Sequence, residues 1–361
     1  MAGGRFAIIA GAKLVYVDWI DRFMNAPDPP AGEALRHLIM GFRATQLVYV
    51  AAKLGLADRL KAGPQTAQAL AEAVGAEPRA LHRVLRALAG LGIFAEDSDG
   101  RFGLTPLAEL LCSDVDGSLR SLAVLYGEEW LWDVYGRMLH SVLTGAPAFE
   151  RTHGAAFFEY LDHHATAATL FHDAMSGYSA QEAEAILAGY DFSRVTNVVD
   201  VGGGHGALLA KLLRAHRGLS GVVLDLPASA SGARRLLAEA GVAERGVFAA
   251  GDFFDAIPRG GDVYLLKSVI HNWDDEAAVR ILRRCREAMA EDARLLVIER
   301  VIPPGNAPAE AKLFDINMLV VIGGRERTEE EHRALFHGAR FRLTQMIATS
   351  SPVSLLVGTP E

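Results

Sequence analysis

The chain has 361 residues, about two to two and a half typical domain lengths, so two domains are expected and a single small module is excluded. With 50% hydrophobic and 22% charged residues, the composition excludes a disordered or collagen-like chain. Lys and Arg number 36 against 44 Asp and Glu, and the resulting net charge of −8 disfavours nucleic acid and anionic membranes and favours a small-molecule partner.

Neither the two cysteines nor the N-terminal apolar run indicates a secreted protein. Cys112 and Cys285 lie far apart and outside any CxxC pattern, so neither a disulfide framework nor a thiolate metal site is expected. The apolar run 6–10 imitates a signal peptide, but it breaks at Lys13 and is too short. No window reaches the roughly 18 uncharged apolar residues of a membrane helix. We predict a cytoplasmic protein without membrane contact.

Residues 34–112 show apolar positions at helical spacing and predict a small helical module. A turn at 75–78 separates a helix over 67–74 from one over 79–90. The segment 92–104, with the turn Asp97-Ser98-Asp99-Gly100, then predicts a β-wing. This is the pattern of a winged helix-turn-helix.

A winged helix invites a DNA-binding interpretation, which its charge disfavours. Residues 36–110 contain nine basic and seven acidic side chains, a net of only +2, which is weak for a protein that enters a DNA groove. The apolar stretch 6–23 adds surface that one subunit is not expected to cover. We therefore predict that residues 1–115 form a dimerisation domain and that the protein is a homodimer.

The rest of the chain divides into helices and then an α/β pattern. Residues 116–190 are mostly helical and rich in aromatic side chains, and we assign them as linking helices that line a substrate pocket. Residues 191–361 alternate five apolar runs with helical stretches, which predicts an α/β domain with a mainly parallel sheet. The last two runs, 341–349 and 353–358, follow each other so closely that they predict an antiparallel terminal pair.

A strand over Asn197–Val201 leads directly into a glycine loop at 202–206 and then into a helix. In such an arrangement bare backbone approaches a ligand closely. Gly202, Gly204 and Ala207 satisfy a dinucleotide-binding spacing, which is a weak signal by itself. The loop alone leaves NAD and S-adenosylmethionine (SAM) both open.

Asp200 separates these two cofactors. Its carboxylate immediately precedes the loop, where it would repel a pyrophosphate but suits the cationic ammonium end of SAM. Asp225 ends the next strand, where a carboxylate can accept both ribose hydroxyls. Asp252 and Phe253 close the third strand and offer an acceptor for an adenine amino group beside an aromatic face. Three acids at three successive strand ends favour a SAM site over three separate helix caps.

Three further segments complete a family resemblance. They are Leu266–Trp273 (LKSVIHNW), Val297–Arg300 (VIER) and Gly323–Thr328 (GGRERT). With the Asp-Val-Gly-Gly-Gly loop, they resemble the SAM-dependent O-methyltransferases of the caffeic-acid and acetylserotonin type, whose bacterial members act in natural-product pathways. The similarity runs from about residue 34 to the end. It implies a winged-helix dimerisation domain followed by a Rossmann-like class I methyltransferase domain.

The resemblance also implies roles for individual residues. In that family the histidine matching His271 is the general base, flanked by acids matching Glu299 and Glu326. Family members usually have Asp where this chain has Asn272, so one charge beside the base is missing. The predicted cofactor-binding positions are Asp200, Gly202, Gly204, Asp225, Leu226, Asp252, Phe253 and Lys267.

Methyl transfer to a phenol needs a base on chemical grounds as well. A phenol with a pKa near 10 becomes a competent nucleophile when a base takes its proton, and a histidine with its ordinary pKa near 6.5 is mostly neutral at pH 7. His271 and Glu299 follow neighbouring parallel strands, so both are predicted at the carboxyl edge of the sheet. A carboxylate on the far ring nitrogen fixes the tautomer and favours the imidazolium that forms. Such a reaction needs no metal, and it converts SAM to S-adenosylhomocysteine.

Phe171, Met175 and Tyr178 fall at i, i+4 and i+7 on one helical face. Such a stripe is usually core, but the resemblance places it over a flat aromatic acceptor. The full set of predicted substrate-binding residues is Phe171, Met175, Tyr178, Asn272, Met318 and Trp130.

Three other histidines, His163, His164 and His172, belong to no metal-ligand motif, so no metal site is predicted from them.

The predicted activity is methyl transfer from SAM to a hydroxyl, phenolic in character, of a small aromatic or polyketide-type natural product. A winged-helix transcription factor is disfavoured by the low basic charge, and an NAD-dependent dehydrogenase by Asp200. A family relative that keeps the cofactor but has lost or altered methyl transfer stays open, and the sequence does not identify the acceptor.

Overall fold

A computed structural model describes residues 30–361, which form two compact units that divide between Trp132 and Asp133. The division falls inside the segment assigned from the sequence to linking helices, 116–190. The apolar stretch 6–23 lies outside the described residues.

The first unit is a helical module with a small three-stranded sheet. In chain order it contains α1 (Ala31–Met40), α2 (Phe42–Lys53), α3 (Leu56–Leu60), β1 (Gln65–Thr66), α4 (Ala67–Val74), α5 (Pro78–Gly90), β2 (Phe94–Glu96), β3 (Arg101–Leu104), α6 (Pro106–Glu109) and α7 (Arg120–Gly127). β3 pairs antiparallel with both β1 and β2. The predicted helix-turn-helix with a β-wing is therefore present.

Local side chains define the ends of these elements. The Glu77 carboxylate accepts backbone N–H groups of Arg79 and Ala80 at 3.1 and 2.6 Å and starts α5. Asp97 Oδ1 accepts the N–H groups of Asp99 and Arg101, both at 2.9 Å, and closes the turn of the wing.

α1 and the start of α2 leave large apolar side chains uncovered. Leu35, Leu38, Ile39 and Phe42 are 53–65% exposed. A continuous apolar face of this kind on a small unit marks an interaction surface.

Helices open the second unit. α8 (Glu129–Tyr135) spans the division and is followed by α9 (Met138–Thr144), α10 (Ala148–His153), α11 (Phe157–His163) and α12 (Ala165–Gly189). α12 is 25 residues long and carries the predicted aromatic stripe. Among residues 30–361, α12 included, no helix combines the length and the apolar content needed to cross a membrane.

The remainder of the second unit is the predicted α/β domain. It contains β4 (Asn197–Val201), α13 (Ala207–Ala215), β5 (Ser220–Asp225), α14 (Ala230–Glu239), β6 (Gly246–Ala250), β7 (Val263–Lys267), α15 (Asp275–Ala288), β8 (Arg294–Glu299), β9 (Val301–Ile302), α16 (Glu310–Asn317), β10 (Arg327–Thr328), α17 (Glu329–Gly338), β11 (Phe341–Ala348) and β12 (Ser354–Pro360). A π-helical turn, Met318–Ile322, follows α16.

The central sheet has seven strands in the order β11-β12-β8-β7-β4-β5-β6. β4 to β8 are parallel, and β12 is antiparallel to both β8 and β11, which confirms the predicted mainly parallel sheet with an antiparallel terminal pair. Buried aliphatic side chains cover both faces, as all-parallel strands require.

The strand order reverses at β4, which lies between β5 and β7. Ligands of open parallel sheets bind beside such a reversal, at the carboxyl ends of the strands. The glycine loop follows β4, and His271 follows β7, so both lie at this edge.

One buried polar group in α17 has no hydrogen bond. His332 is 2% exposed, and neither ring nitrogen has a partner among the described residues. Burial lowers its pKa to about 4. Its folded-state pKa lies below the unfolded value near 6.5, so stability is fully present above pH 6.5 and is lost as the pH falls toward 4.

We predict that His332→Leu removes part of this acid sensitivity. Between pH 7.5 and pH 5, the wild-type protein should lose about 2 kcal/mol more unfolding free energy than the variant, because only the wild type has a histidine that must stay neutral. Urea unfolding at both pH values measures this difference. His337→Gln, at an exposed position of the same helix, is the control. Equal losses in His332→Leu and the wild type would contradict the account.

Candidate active site

His271 lies in a short turn after β7. Ser268 adopts φ +54°, a left-handed backbone conformation that is strained for a residue with a Cβ and is typical of functional sites. A 3₁₀ turn over Ile270–Asn272 then places His271 at the sheet edge, 7% exposed. The Asn272 side-chain amide donates to the Ser268 carbonyl at 3.2 Å, so it supports this turn. Its predicted contact with substrate stays a prediction.

Glu326 is the direct partner of His271. Its Oε1 is 2.8 Å from His271 Nδ1, and the carboxylate is 3% exposed. Ionised carboxylates can only accept, so two of them facing Nδ1 favour the tautomer with its proton on Nδ1. The other ring nitrogen, Nε2, is then left with a lone pair when the ring is neutral. This is the arrangement that a general base needs.

Glu299 contacts both the backbone of the turn and the His271 ring. Its Oε1 accepts the backbone N–H groups of Val269, Ile270 and His271 at 3.1, 2.9 and 3.3 Å, while Oε2 lies 3.4 Å from His271 Nδ1. One carboxylate oxygen therefore fixes the backbone of the turn, and the other adds negative charge beside the ring. Burial raises the pKa of Glu299, against the lowering effects of His271 and the backbone N–H groups.

The two glutamates set the basicity of His271. Burial alone lowers the pKa of His271, but the charges of Glu299 and Glu326 outweigh that effect, so the pKa is raised above its ordinary value near 6.5. The three side chains also bring one possible ligand atom each to within 4.8 Å of one another. That His271, Glu299 and Glu326 act without a metal stays a prediction.

The segment 323–328 braces the turn through its backbone as well as through Glu326. The N–H of Arg325 donates to the His271 carbonyl at 2.8 Å. At Gly324 a Cβ would overlap that carbonyl oxygen, so only glycine allows this approach. Arg327, 1% exposed, donates to the carbonyls of Ile270 and Trp273 at 3.1 and 2.7 Å. Sequence reasoning did not single out Arg327, although it lies in the quoted Gly-Gly-Arg-Glu-Arg-Thr segment.

The glycine loop turns sharply after β4. Gly202, Gly204 and Gly206 have φ values of +69°, +57° and +76°. A Cβ at Gly202 would come within 2.9 Å of Val269, whereas nothing lies within 4 Å of the same position at Gly204. The loop is therefore packed on one side and has open space beside Gly204, as backbone that approaches a ligand requires.

Asp225 closes this loop. Its Oδ2 accepts the Gly204 N–H at 2.8 Å, and its Oδ1 accepts the Leu226 N–H at 2.8 Å and the Ser229 hydroxyl at 2.9 Å. A carboxylate has about four acceptor positions. One acceptor position of Asp225 is therefore left for a ligand hydroxyl. The predicted binding of both ribose hydroxyls needs two positions, so one of the three hydrogen bonds would have to be exchanged.

Asp200 lies beneath the loop, 2% exposed, and its Oδ2 has no hydrogen-bond partner among the described residues. Burial and the charge of Asp225 raise the pKa of Asp200 to about 7, against the effect of Lys267. A buried, unpaired carboxylate oxygen fits a cationic donor such as the ammonium end of SAM.

Asp252 and Phe253 follow β6 at the same edge. Asp252 Oδ1 accepts the Phe254 N–H at 2.8 Å, which leaves Oδ2 for a ligand. The Phe253 ring lies beside the loop, 3.5 Å from the position that a Cβ on Gly202 would take. An acceptor and an aromatic face thus occur side by side, as predicted for an adenine.

Lys267 belongs to a buried charge network that the sequence did not reveal. Its Nζ lies 2.7 Å from Glu182 Oε2 and donates to the Ser179 hydroxyl at 3.2 Å. Arg300 donates to Glu182 Oε1 at 3.3 Å. The one sequence signal for Glu182 was its spacing, because it lies one helical turn after Tyr178 on α12.

Aromatic rings lie beside this network, and one of them also faces His271. The Arg300 guanidinium is 4.2 Å from the Phe314 ring centre and 5.4 Å from that of Tyr178. Phe314 lies nearly parallel to His271, with ring centres 6.1 Å apart and planes at 17°. Tyr178 and Phe314 therefore share Arg300 as a neighbour, and Phe314, which sequence reasoning missed, also faces His271.

The other predicted substrate residues are placed less directly. Phe171 contacts Phe157 edge to face, with ring centres 5.1 Å apart, and Met175 is half-buried on the same helix. Met318 is 1% exposed at the start of the π-helical turn. Trp130 belongs to the first unit. Their contact with substrate stays a prediction.

Comparisons with known proteins agree with both units. A family model described as an O-methyltransferase domain matches residues 135–342, and one described as an O-methyltransferase dimerisation domain matches residues 36–114. A phenazine O-methyltransferase from Lysobacter antibioticus is 41% identical over 92% of this chain and 97% of its own length. A phenazine-1-carboxylate N-methyltransferase from Pseudomonas aeruginosa is 34% identical over 92% of this chain and 99% of its own length.

A solved structure adds ligands to the comparison. An O-methyltransferase from neocarzinostatin biosynthesis, in complex with SAM and 2-hydroxy-5-methyl naphthoic acid, has a TM-score of 0.73 and 36% identity, covering 88% of this chain and 96% of that one.

We predict that Gly324→Ala destabilises the protein by about 1–3 kcal/mol, because the new methyl group must displace the His271 carbonyl. Gly218→Ala is the matched control, since nothing lies within 4 Å of its Cβ position, and it should stay within about 0.5 kcal/mol of wild type. Thermal unfolding compares the two. Equal stability of both variants would show that Gly324 does not brace the turn.

Proposed function

Because the chain belongs to the SAM-dependent O-methyltransferases that carry an N-terminal dimerisation domain, we propose that it methylates a hydroxyl, phenolic in character, of a small aromatic or polyketide-type natural product, with His271 as general base. The observation that carries this proposal is the buried contact of 2.8 Å between His271 Nδ1 and Glu326. It holds the ring in the tautomer whose Nε2 can accept a proton.

When bound, SAM supplies an electrophilic methyl group on a sulfonium. The acceptor hydroxyl forms the new carbon–oxygen bond as the carbon–sulfur bond breaks, and its proton passes to Nε2 of His271. The positive charge that develops on the ring is offset by Glu326 and Glu299. Alignment of acceptor and methyl group supplies the rest, an effect worth up to about 7–11 kcal/mol in favourable cases.

Cofactor binding is assigned to the residues around the glycine loop. We infer that Asp200 receives the ammonium end, that Asp225 receives a ribose hydroxyl, and that Asp252 and Phe253 hold the adenine. Lys267 and Ser179 lie 3.2 Å apart and suit the carboxylate end. Gly202, Gly204 and Leu226 contribute backbone along the loop and the adjoining strand end.

The acceptor is assigned to the space between α12 and the base. Phe314 offers a flat apolar surface beside His271, and Tyr178 offers a second one beside Arg300. Phe171, Met175, Met318 and Asn272 complete the proposed set within the second unit. The N-methylating relative makes methyl transfer to nitrogen the second candidate activity, and a chain that binds SAM without transferring its methyl group is the third.

We further propose a cytoplasmic homodimer. The first unit matches a dimerisation domain, and α1 leaves Leu35, Leu38 and Ile39 uncovered. Cys112 and Cys285 are buried free thiols, which suits a reducing compartment.

We predict that His271→Ala lowers the turnover of a phenolic acceptor by about 10²–10⁴-fold while SAM affinity changes little, because the base acts only in the transfer step. Labelled SAM with a panel of phenols and arylamines measures transfer, and calorimetry measures SAM binding. Retention of more than half the turnover on a rate-limiting phenol would overturn the base assignment. Transfer only to amines would select the second candidate, and SAM binding without any transfer would select the third.

The pH profile tests both glutamates, and thermal stability distinguishes them. Since only the neutral ring accepts a proton, activity should rise with pH through a His271 pKa above 6.5. Glu326→Gln should move this limb to lower pH, because it removes a charge that raises the pKa, and should slow turnover since an amide offsets less of the developing charge. Glu299→Gln should in addition lower thermal stability, because Glu299 fixes three backbone N–H groups of the turn. If the pH dependence of activity were unshifted in both variants, the proposed effect of the two glutamates on the His271 pKa would be contradicted.

The dimer is tested by the double variant Leu38→Glu/Phe42→Glu. Two charges on the apolar face of α1 should convert the dimer to a monomer in light scattering. Val247→Glu, at a similarly exposed apolar position in the second unit, should stay dimeric. A wild-type monomer at micromolar concentration, active as such, would refute the proposal.

A further inference from the structure

Two histidines that the proposed reaction does not use meet beside the glycine loop. His172 follows Phe171 on α12, and His205 lies between Gly204 and Gly206. Their ring centres are 4.9 Å apart, with planes at 33°. The sequence shows no ligand motif because the two residues come from different elements.

The spacing fits a shared metal ion. A tetrahedral ion bonded at about 2.0–2.1 Å to one nitrogen of each of two imidazoles separates the ring centres by about 5 Å. No described residue is hydrogen-bonded to either ring, so the nitrogen lone pairs are not engaged within residues 30–361. Burial lowers the pKa of both histidines, which keeps them in the neutral form that binds metals.

The surroundings suit a cation and hold one ligand in place. The charges of Asp173 and Asp225 act on both rings, and Arg235 opposes them at His205. His205 lies so close to Gly232 of α14 that a Cβ there would overlap the imidazole. Both histidines are only partly buried, so an ion can enter from solvent and keep water as its remaining ligands.

We propose that His172 and His205 bind a divalent late transition-metal ion of the zinc class. The site is separate from the chemistry at His271, and metal binding does not depend on the proposed function, whereas its effect on the cofactor rests on that function. A bound ion would restrict the movement of the two elements that carry the histidines. A bound ion ties α12, which carries Phe171 and Tyr178, to the loop that carries Gly204, and so it should slow exchange of the cofactor.

Zinc titration of the full-length protein tests the site. Calorimetry should find a zinc ion whose affinity falls by about tenfold or more in His172→Gln and in His205→Gln, since each removes one of two protein ligands. His163→Gln, at an exposed position in α11, is the matched histidine control and should not change this binding. Glu326→Gln should not change it either, which separates this site from the cluster of His271, Glu299 and Glu326.

Two further readouts avoid reliance on activity. Zinc should raise the melting temperature of the wild type and not of His172→Gln, because binding to the folded state stabilises it. Zinc should also slow dissociation of S-adenosylhomocysteine from the wild type only. Zinc binding that is lost in Glu326→Gln but kept in His172→Gln would assign the ion to the base cluster. Absence of binding, or binding unchanged in both histidine variants, would overturn the proposal.

Discussion

The proposed active site depends on one buried hydrogen bond, between His271 Nδ1 and Glu326 at 2.8 Å. A neutral imidazole has one donor and one acceptor nitrogen, so a carboxylate that fixes the donor also decides which nitrogen accepts a proton. The two residues come from distant segments, the turn after β7 and the loop after the π-helical turn. Much of the surrounding structure brings these segments together: Gly324 permits close backbone approach, and Arg327 holds the turn by two carbonyls.

This arrangement buries two carboxylates beside one imidazole, and buried charge is costly unless it is compensated. The two glutamates are compensated differently. Glu299 receives three backbone N–H groups. The Glu326 carboxylate has the His271 ring as its partner at 2.8 Å, while Asp315 holds only the Glu326 backbone, by accepting its N–H at 2.8 Å. Both glutamates leave their second oxygen without a hydrogen bond among the described residues. Glu299 Oε2 and Glu326 Oε1 face the ring at 3.4 and 2.8 Å, so their negative charge favours the imidazolium.

Much of the fold was predictable because it rests on local patterns. Apolar runs between helical stretches predicted the parallel strands, the short gap before the last run predicted the antiparallel pair, and the Asp97 turn predicted the wing. The spacing of acids at strand ends predicted which side chains gather at the carboxyl edge. Side chains that act across the fold gave no such signal. Glu182, Ser179 and Phe314 reach the site only because α12 and α16 lie over it, and His172 meets His205 for the same reason.

The central claim concerns one proton, and ¹⁵N NMR of the histidine side chains observes it directly. Assignment of the His271 resonances by comparison with His271→Ala isolates one ring. At a pH above the His271 pKa, the account predicts a neutral ring with the proton on Nδ1 and an unprotonated Nε2. In Glu326→Gln, the Nδ1–H signal should lose the downfield shift that a bond to a carboxylate produces. A neutral ring protonated on Nε2 in the wild type would contradict the account, because that nitrogen could not then take the proton of an acceptor hydroxyl.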